Sequence, residues 1–231
     1  MTIPKKVHIY EVGPRDGLQN EKKIIPTNIK VKLINKLSEC NFKNIEVGSF
    51  VSPRWVPQMA DSNKVLERIK KKQGIKYPVL TPNLKGFQDA IKNKVDTICV
   101  FVTASEKFSM KNTNCTVKEA LKRVEEIVNE AKKYKLKVRG YISCVLGCPY
   151  EGKVSYKKTA NIAKFLAKIG CYEISLGDTI GIGTPSESVL MIKEVNKQVN
   201  LNKIAVHFHD TYGQALANLY AVLQLGVSTI D

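Results

Sequence analysis

Histidine is scarce in this chain, three in 231 residues, and tryptophan occurs once. Acidic residues are also few beside basic ones, 21 against 37, which leaves a formal net charge of +16. No apolar run reaches the about 20 residues that a membrane-spanning helix needs. The N-terminus, Met1 to Lys6, leads into an amphipathic strand rather than the apolar centre of a signal peptide. A cytoplasmic location without membrane attachment is therefore expected. The six cysteines, Cys40, Cys99, Cys115, Cys144, Cys148 and Cys171, include no CxxC pair, so they read as reduced thiols rather than a disulfide framework or a zinc ribbon. Aromatic platforms are missing where the lysines concentrate. Lys30, Lys32 and Lys36, like Lys118, Lys122, Lys132 and Lys133, fall on helical faces interleaved with glutamates. That pattern argues against nucleic acid and for solvated helix faces, and it leaves a phosphorylated small molecule as the anionic partner.

What the chain does have is a repeated unit: a short β-branched run, a polar loop, and a segment with apolar residues at helical period. Strands are expected at Val7 to Val12, Asn44 to Gly48, Tyr77 to Thr81, Thr97 to Val102, Lys137 to Ser143, Tyr172 to Gly177 and Lys203 to His209, with an eighth from Val227 to Asp231. Helical patterns run over Thr27 to Cys40, Asp61 to Lys72, Lys85 to Asn93, Ser155 to Ile169, Ser186 to Val199 and Gly213 to Leu225. Another opens on Thr116-x-x-Glu119, a capping box ahead of the apolar face Leu121, Val124, Ile127, Val128 and Ala131. Seven βα units and the opening of an eighth predict a (β/α)8 barrel, with residues 1–231 a single domain that ends within strand eight. Without a final loop and helix, that strand is expected to be poorly held, with apolar surface exposed on the flanking helices.

Barrel chemistry gathers at the C-terminal ends of the strands. There the seventh strand carries His207-Phe208-His209-Asp210, and residues two apart on a strand point to the same side, so the two imidazoles can converge on one ion. His8 sits at the start of the first strand, on the opposite face, and is assigned to structure. After the first strand comes Glu11-Val12-Gly13-Pro14-Arg15-Asp16-Gly17-Leu18-Gln19-Asn20-Glu21. Its Gly-Pro turn can serve only to shape the backbone. Asp16, however, can reach the same opening as the histidines, because only strand eight separates strands one and seven. Two histidines and a carboxylate, with no thiolate, favour Mg²⁺, Mn²⁺ or Fe²⁺ over a closed structural zinc. Arg15 offers a permanent forked cation for a carboxylate, a thioester oxygen or a developing enolate. Glu46, acidic between Ile45 and Val47, is expected to face the lumen or to pair with a cation such as Arg15.

The chain resembles the 3-hydroxy-3-methylglutaryl-CoA lyase family of metal-dependent TIM barrels. The resemblance rests on the segment Val12 to Glu21, on Ser49-Phe50-Val51-Ser52-Pro53 with Trp55-Val56-Pro57-Gln58-Met59, on Leu80-Thr81-Pro82-Asn83-Leu84-Lys85-Gly86, on Leu146 to Gly152, on Gly170 to Thr179, and on His207 to Ala215. It implies a lyase that cleaves 3-hydroxy-3-methylglutaryl-CoA to acetyl-CoA and acetoacetate, chemistry of the leucine-degradation type. It further implies that Asp16, His207 and His209 hold Mg²⁺ or Mn²⁺, that Arg15 steadies the enolate, and that Glu46 positions Arg15 or the tertiary hydroxyl. Gln19, Ser49, Ser175 and Asp178 join Arg15 as implied substrate contacts, and a homodimer is compatible with this reading. The family's fourth ligand, an asparagine, and its catalytic cysteine belong to segments beyond Asp231. Cys148, in a similar Gly-Cys-Pro-Tyr run, is read as loop-shaping. The competing reading is a truncated remnant that only binds metal or CoA; a non-haem iron oxygenase carries little weight against the lyase-like loops.

Overall fold

The computed structural model describes residues 3–231. The β-branched runs form parallel strands: β1 (His8–Glu11), β2 (Asn44–Ile45 continued by Gly48–Ser49), β3 (Val79–Leu80), β4 (Thr97–Thr103), β5 (Lys137–Ser143), β6 (Glu173–Asp178), β7 (Ile204–Phe208) and β8 (Thr229–Ile230). Each lies next to its successor, and β8 returns to β1 with His8 opposite Thr229. The circuit closes at β2, whose first segment pairs with β1 and whose second pairs with β3. Among the described residues the sheet is thus an eight-stranded parallel barrel, as the repeated βα pattern predicts.

Helices α1 (Thr27–Leu37), α2 (Ser62–Arg68), α3 (Leu84–Lys92), α4 (Glu106–Thr113), α5 (Val117–Lys133), α6 (Tyr156–Ile169), α7 (Pro185–Asn196) and α8 (Ala215–Leu223) surround it. The expected capping box is formed: Thr116 accepts from the Glu119 amide and Glu119 accepts from the Thr116 amide. No helix among the described residues is long and apolar enough to cross a membrane. Alternation along the strands gives two apolar layers. A large one, including Ile98, Val100, Ile142, Ile174 and Leu176, fills the space between strands and helices. A small one, Tyr10, Val12, Leu80, Cys99 and Tyr141, fills the lumen.

Three features differ from expectation. Helix α4 and the hairpin Gly147–Cys148 with Gly152–Lys153 are additional; α4 follows its Ser105 cap but ends in the polar run Lys111, Asn112, Thr113, which hides its period. Lys30 is not on a solvated face: it is 4% exposed, its ammonium 2.6 Å from Asp61 and bonded to the Gln58 carbonyl, tying α1 to the start of α2. Strand eight is not loosely held, since it pairs on both edges and the Asp231 amide continues the ladder to the Val206 carbonyl at 3.0 Å.

Candidate active site

Past β1 the chain winds into a single π-helical turn, Gly13–Gly17. Pro14 opens it, where a missing N–H does no harm, and the Gly13 amide donates to Glu11 Oε1 at 2.6 Å. The Val12 carbonyl accepts from the amides of Arg15 and Asp16 and the Gly13 carbonyl from that of Leu18, five residues on, and this wide turn delivers both side chains to one place. π-Turns recur at functional sites because they displace side chains from the helical register.

Arg15 is 6% exposed. Its guanidinium donates to Asp16 Oδ1 at 2.6 Å and to Glu46 Oε2 at 3.0 Å. Its Nε lies 3.0 Å from Glu46 Oε1 without hydrogen-bond alignment. Glu46 is buried and accepts a second bond, 2.6 Å, from the Tyr141 hydroxyl. Burial works against the Arg15 charge, but Glu46 and Asp16 outweigh it and drive its pKa higher still. For Tyr141, burial comes first and the carboxylate of Glu46 adds to it, so the phenol keeps its proton. Gln19 Nε2 donates to Asp16 Oδ1 at 2.9 Å.

His207 and His209 leave the end of β7 on the same side, with ring centroids 4.8 Å apart. Each Nε2 faces Asp16 Oδ2, at 3.4 and 3.5 Å. His209 Nδ1 lies 2.7 Å from the Thr179 carbonyl oxygen, which can only accept, so that nitrogen carries a proton and Nε2 is the ring nitrogen turned toward Asp16. The loop after β6 can approach this closely because Gly181 has φ +66°, and a Cβ there would lie 2.6 Å from the His209 carbonyl oxygen. His8, by contrast, is exposed at the far end of β1.

Two residues of this region escape a reading of the sequence. Arg139, fully buried, stacks 3.9 Å from the Tyr10 ring centroid and pairs with both oxygens of Asp231 at 2.8 and 2.6 Å. Its Nε also donates to Glu173 at 2.7 Å. Asp231 in turn accepts from Ser175 Oγ at 2.7 Å and lies 3.7 Å from His207 Nδ1. Burial opposes ionisation of Asp231, but Arg139 prevails and its pKa falls to about 2. The only sequence signal for Arg139 was its phase, two residues from Tyr141 and so on the same face of β5.

The remaining expected contacts are distributed differently. Ser175 uses its proton on Asp231. Asp178 Oδ2 accepts from the Gly183 amide at 2.8 Å, while its Oδ1 is buried without a partner. Burial raises the Asp178 pKa against the opposing amides of Gly183, Ile182 and Gly181. Ser49 lies buried beside Leu80 and Val51, with no hydrogen bond to the cluster among the described residues. Cys148 is buried and accepts from Ser105 Oγ at 2.9 Å, a loop-shaping contact.

The donor set fits a divalent cation. One ligand atom each from Asp16, His207 and His209 lies within 4.8 Å of the others. Around them two arginines meet the four carboxylates of Asp16, Glu46, Glu173 and Asp231, a formal excess of two negative charges. Without a metal His207 takes up part of that excess: burial lowers its pKa, but Asp16 and Asp231 overcome it and raise it to about 9. For Asp16, burial favours the neutral acid, yet the facing imidazoles and Arg15 hold its carboxyl far below the usual range.

Residues 6–231 match the family described as HMGL-like. The chain is 56% identical over 230 residues to the mitochondrial hydroxymethylglutaryl-CoA lyase of Bos taurus, covering 100% of this chain and 71% of that one. It is 53% identical to the cytoplasmic 3-hydroxy-3-methylglutaryl-CoA lyase of Mus musculus, covering 99% and 67%. The crystal structure of hydroxymethylglutaryl-CoA lyase from Pseudomonas aeruginosa superposes with a TM-score of 0.98 at 51% identity, over 100% of this chain and 77% of that one.

Proposed function

The chain belongs to the HMGL-like family, and from that premise we propose that it cleaves 3-hydroxy-3-methylglutaryl-CoA to acetoacetate and acetyl-CoA. One observation carries the proposal: a metal-suited triad, Asp16, His207 and His209, lies directly against an arginine whose orientation is fixed by a buried carboxylate. In the reaction the tertiary hydroxyl loses its proton, its oxygen becomes the ketone of acetoacetate, and the electrons of the broken carbon-carbon bond pass to the thioester enolate. Protonation of that enolate gives acetyl-CoA.

Asp16, His207 and His209 would hold Mg²⁺ or Mn²⁺, which when bound polarises the hydroxyl and carboxylate oxygens of the substrate. Arg15 supplies fixed positive charge where the enolate develops. Because Glu46 and Tyr141 hold it in advance, little reorganisation is needed as that charge forms. Gln19, through Asp16, helps hold that ligand in place. Gln19, Ser49, Ser175 and Asp178 remain proposed substrate contacts. Residues 1–231 form one catalytic domain in this proposal, in keeping with the closed barrel, and its place is the cytoplasm, the compartment in the name of one murine relative, whereas the bovine relative is named mitochondrial.

The experiment is product analysis. Incubation of 3-hydroxy-3-methylglutaryl-CoA with the chain and Mn²⁺ is expected to yield acetoacetate and acetyl-CoA in equal amounts, and excess chelator should stop it. A chain that binds CoA thioesters and releases neither product would favour the binding-only reading.

A further inference from the structure

His207 Nδ1 is buried and makes no hydrogen bond. A buried polar nitrogen without a partner is costly, and the group facing it is the carboxylate of Asp231, whose Oδ2 is 3.7 Å away. That carboxylate is itself firmly placed. Arg139 grips both of its oxygens, Ser175 donates to Oδ2, and its backbone amide is bonded to Val206, one residue before the histidine on the paired strand. Arg139 is fixed in turn by Glu173 and by the Tyr10 ring. The chain of contacts thus begins deep in the lumen and ends at the side of the imidazole that faces away from Asp16.

We propose that Asp231, held by Arg139 and Ser175, is a positioning residue: it keeps the proton of His207 on Nδ1 and so leaves Nε2 free to bind a metal beside Asp16. On His209 the corresponding nitrogen is hydrogen-bonded to a different acceptor, the Thr179 carbonyl at 2.7 Å. The two histidines are therefore oriented by two independent supports, one a fixed carboxylate in the lumen and one a loop carbonyl. Partners of this kind behind a ligating imidazole typically contribute about 10–100-fold in metal affinity. The inference rests on the proposed metal site, and its test separates the two.

The full chain, labelled with ¹⁵N-histidine and saturated with Mg²⁺, is examined by long-range ¹H–¹⁵N correlation, and Mn²⁺ affinity is measured by calorimetry for wild type and Asp231→Asn. With three histidines, the spectrum assigns directly by comparison with His8→Gln and His209→Gln. His207 is expected to be protonated at Nδ1 in the wild type, and Asp231→Asn, if folded by circular dichroism, to bind Mn²⁺ about 10–100-fold more weakly. Protonation of His207 at Nε2, or equal affinity in a folded Asp231→Asn, overturns the inference. Should Asp231→Asn not fold, the wild-type spectrum decides alone. Failure of the metal site itself would look different, as absence of Mn²⁺ binding in the wild type.

Discussion

Arg15 is held by two carboxylates and leans toward the Tyr141 ring at 5.4 Å, so its position does not depend on substrate. Removing one preorganised donor at a developing anion costs about 10²–10³ in rate. Arg15→Gln is expected to keep its Mn²⁺ affinity within a few-fold and to lose turnover on that scale, which steady-state kinetics beside a calorimetric titration would check. The histidines divide in the opposite way. His207→Ala and His209→Ala should each weaken Mn²⁺ binding strongly, and His8→Ala, exposed at the other end of β1, should leave it unchanged. The triad and the Arg15–Glu46 pair were legible because a period of two, a lone acid in an apolar run and the order of strands in a closed barrel bring those residues together. Arg139 and Asp231 were not, because no motif links the two and a charged residue on a strand ordinarily points to water.

At the scale of elements, local chemistry predicts well where it is self-contained. Helix α5 starts where Thr116 and Glu119 form their reciprocal cap, and its apolar face meets β4 and β5. Thr116→Ala removes that cap and is expected to lower stability by about 1 kcal/mol, readable as a shift in the urea midpoint at constant slope, with metal affinity unaffected. Elements set by distant contacts were harder to read. Lys30 sits at a helical position that suits a solvated lysine, and only the arrival of Asp61 and the Gln58 carbonyl buries it. The π-turn at Gly13–Gly17 leaves a Gly-Pro signature in the sequence, yet the width of the turn is apparent only from the Leu18 amide, which reaches the Gly13 carbonyl five residues back.

For the whole molecule, closure of the barrel and assembly of the site are one event. Strand β5 carries Arg139 and Tyr141 on one face; the first grips Asp231 next to β8, the second donates to Glu46 in β2, and these reach His207 and Arg15 respectively. Arg139→Met would strand Asp231 and Glu173 without their cation in the interior, and the loss of one partner of a buried pair costs about 3–5 kcal/mol. Equilibrium unfolding should register that loss, whereas a surface pair such as Lys133 with Glu130 should contribute under about 1 kcal/mol. The cluster at the C-terminal mouth of this barrel is proposed as a metal-dependent lyase centre built on Asp16, His207 and His209. Its most direct test is acetyl-CoA release from 3-hydroxy-3-methylglutaryl-CoA as Mn²⁺ is titrated into chelator-treated protein, for wild type and His209→Ala. The wild-type rate is expected to rise with Mn²⁺ and saturate at one ion per chain, with little release from the variant; a metal-independent rate, or equal rates from both proteins, would rule out this metal centre.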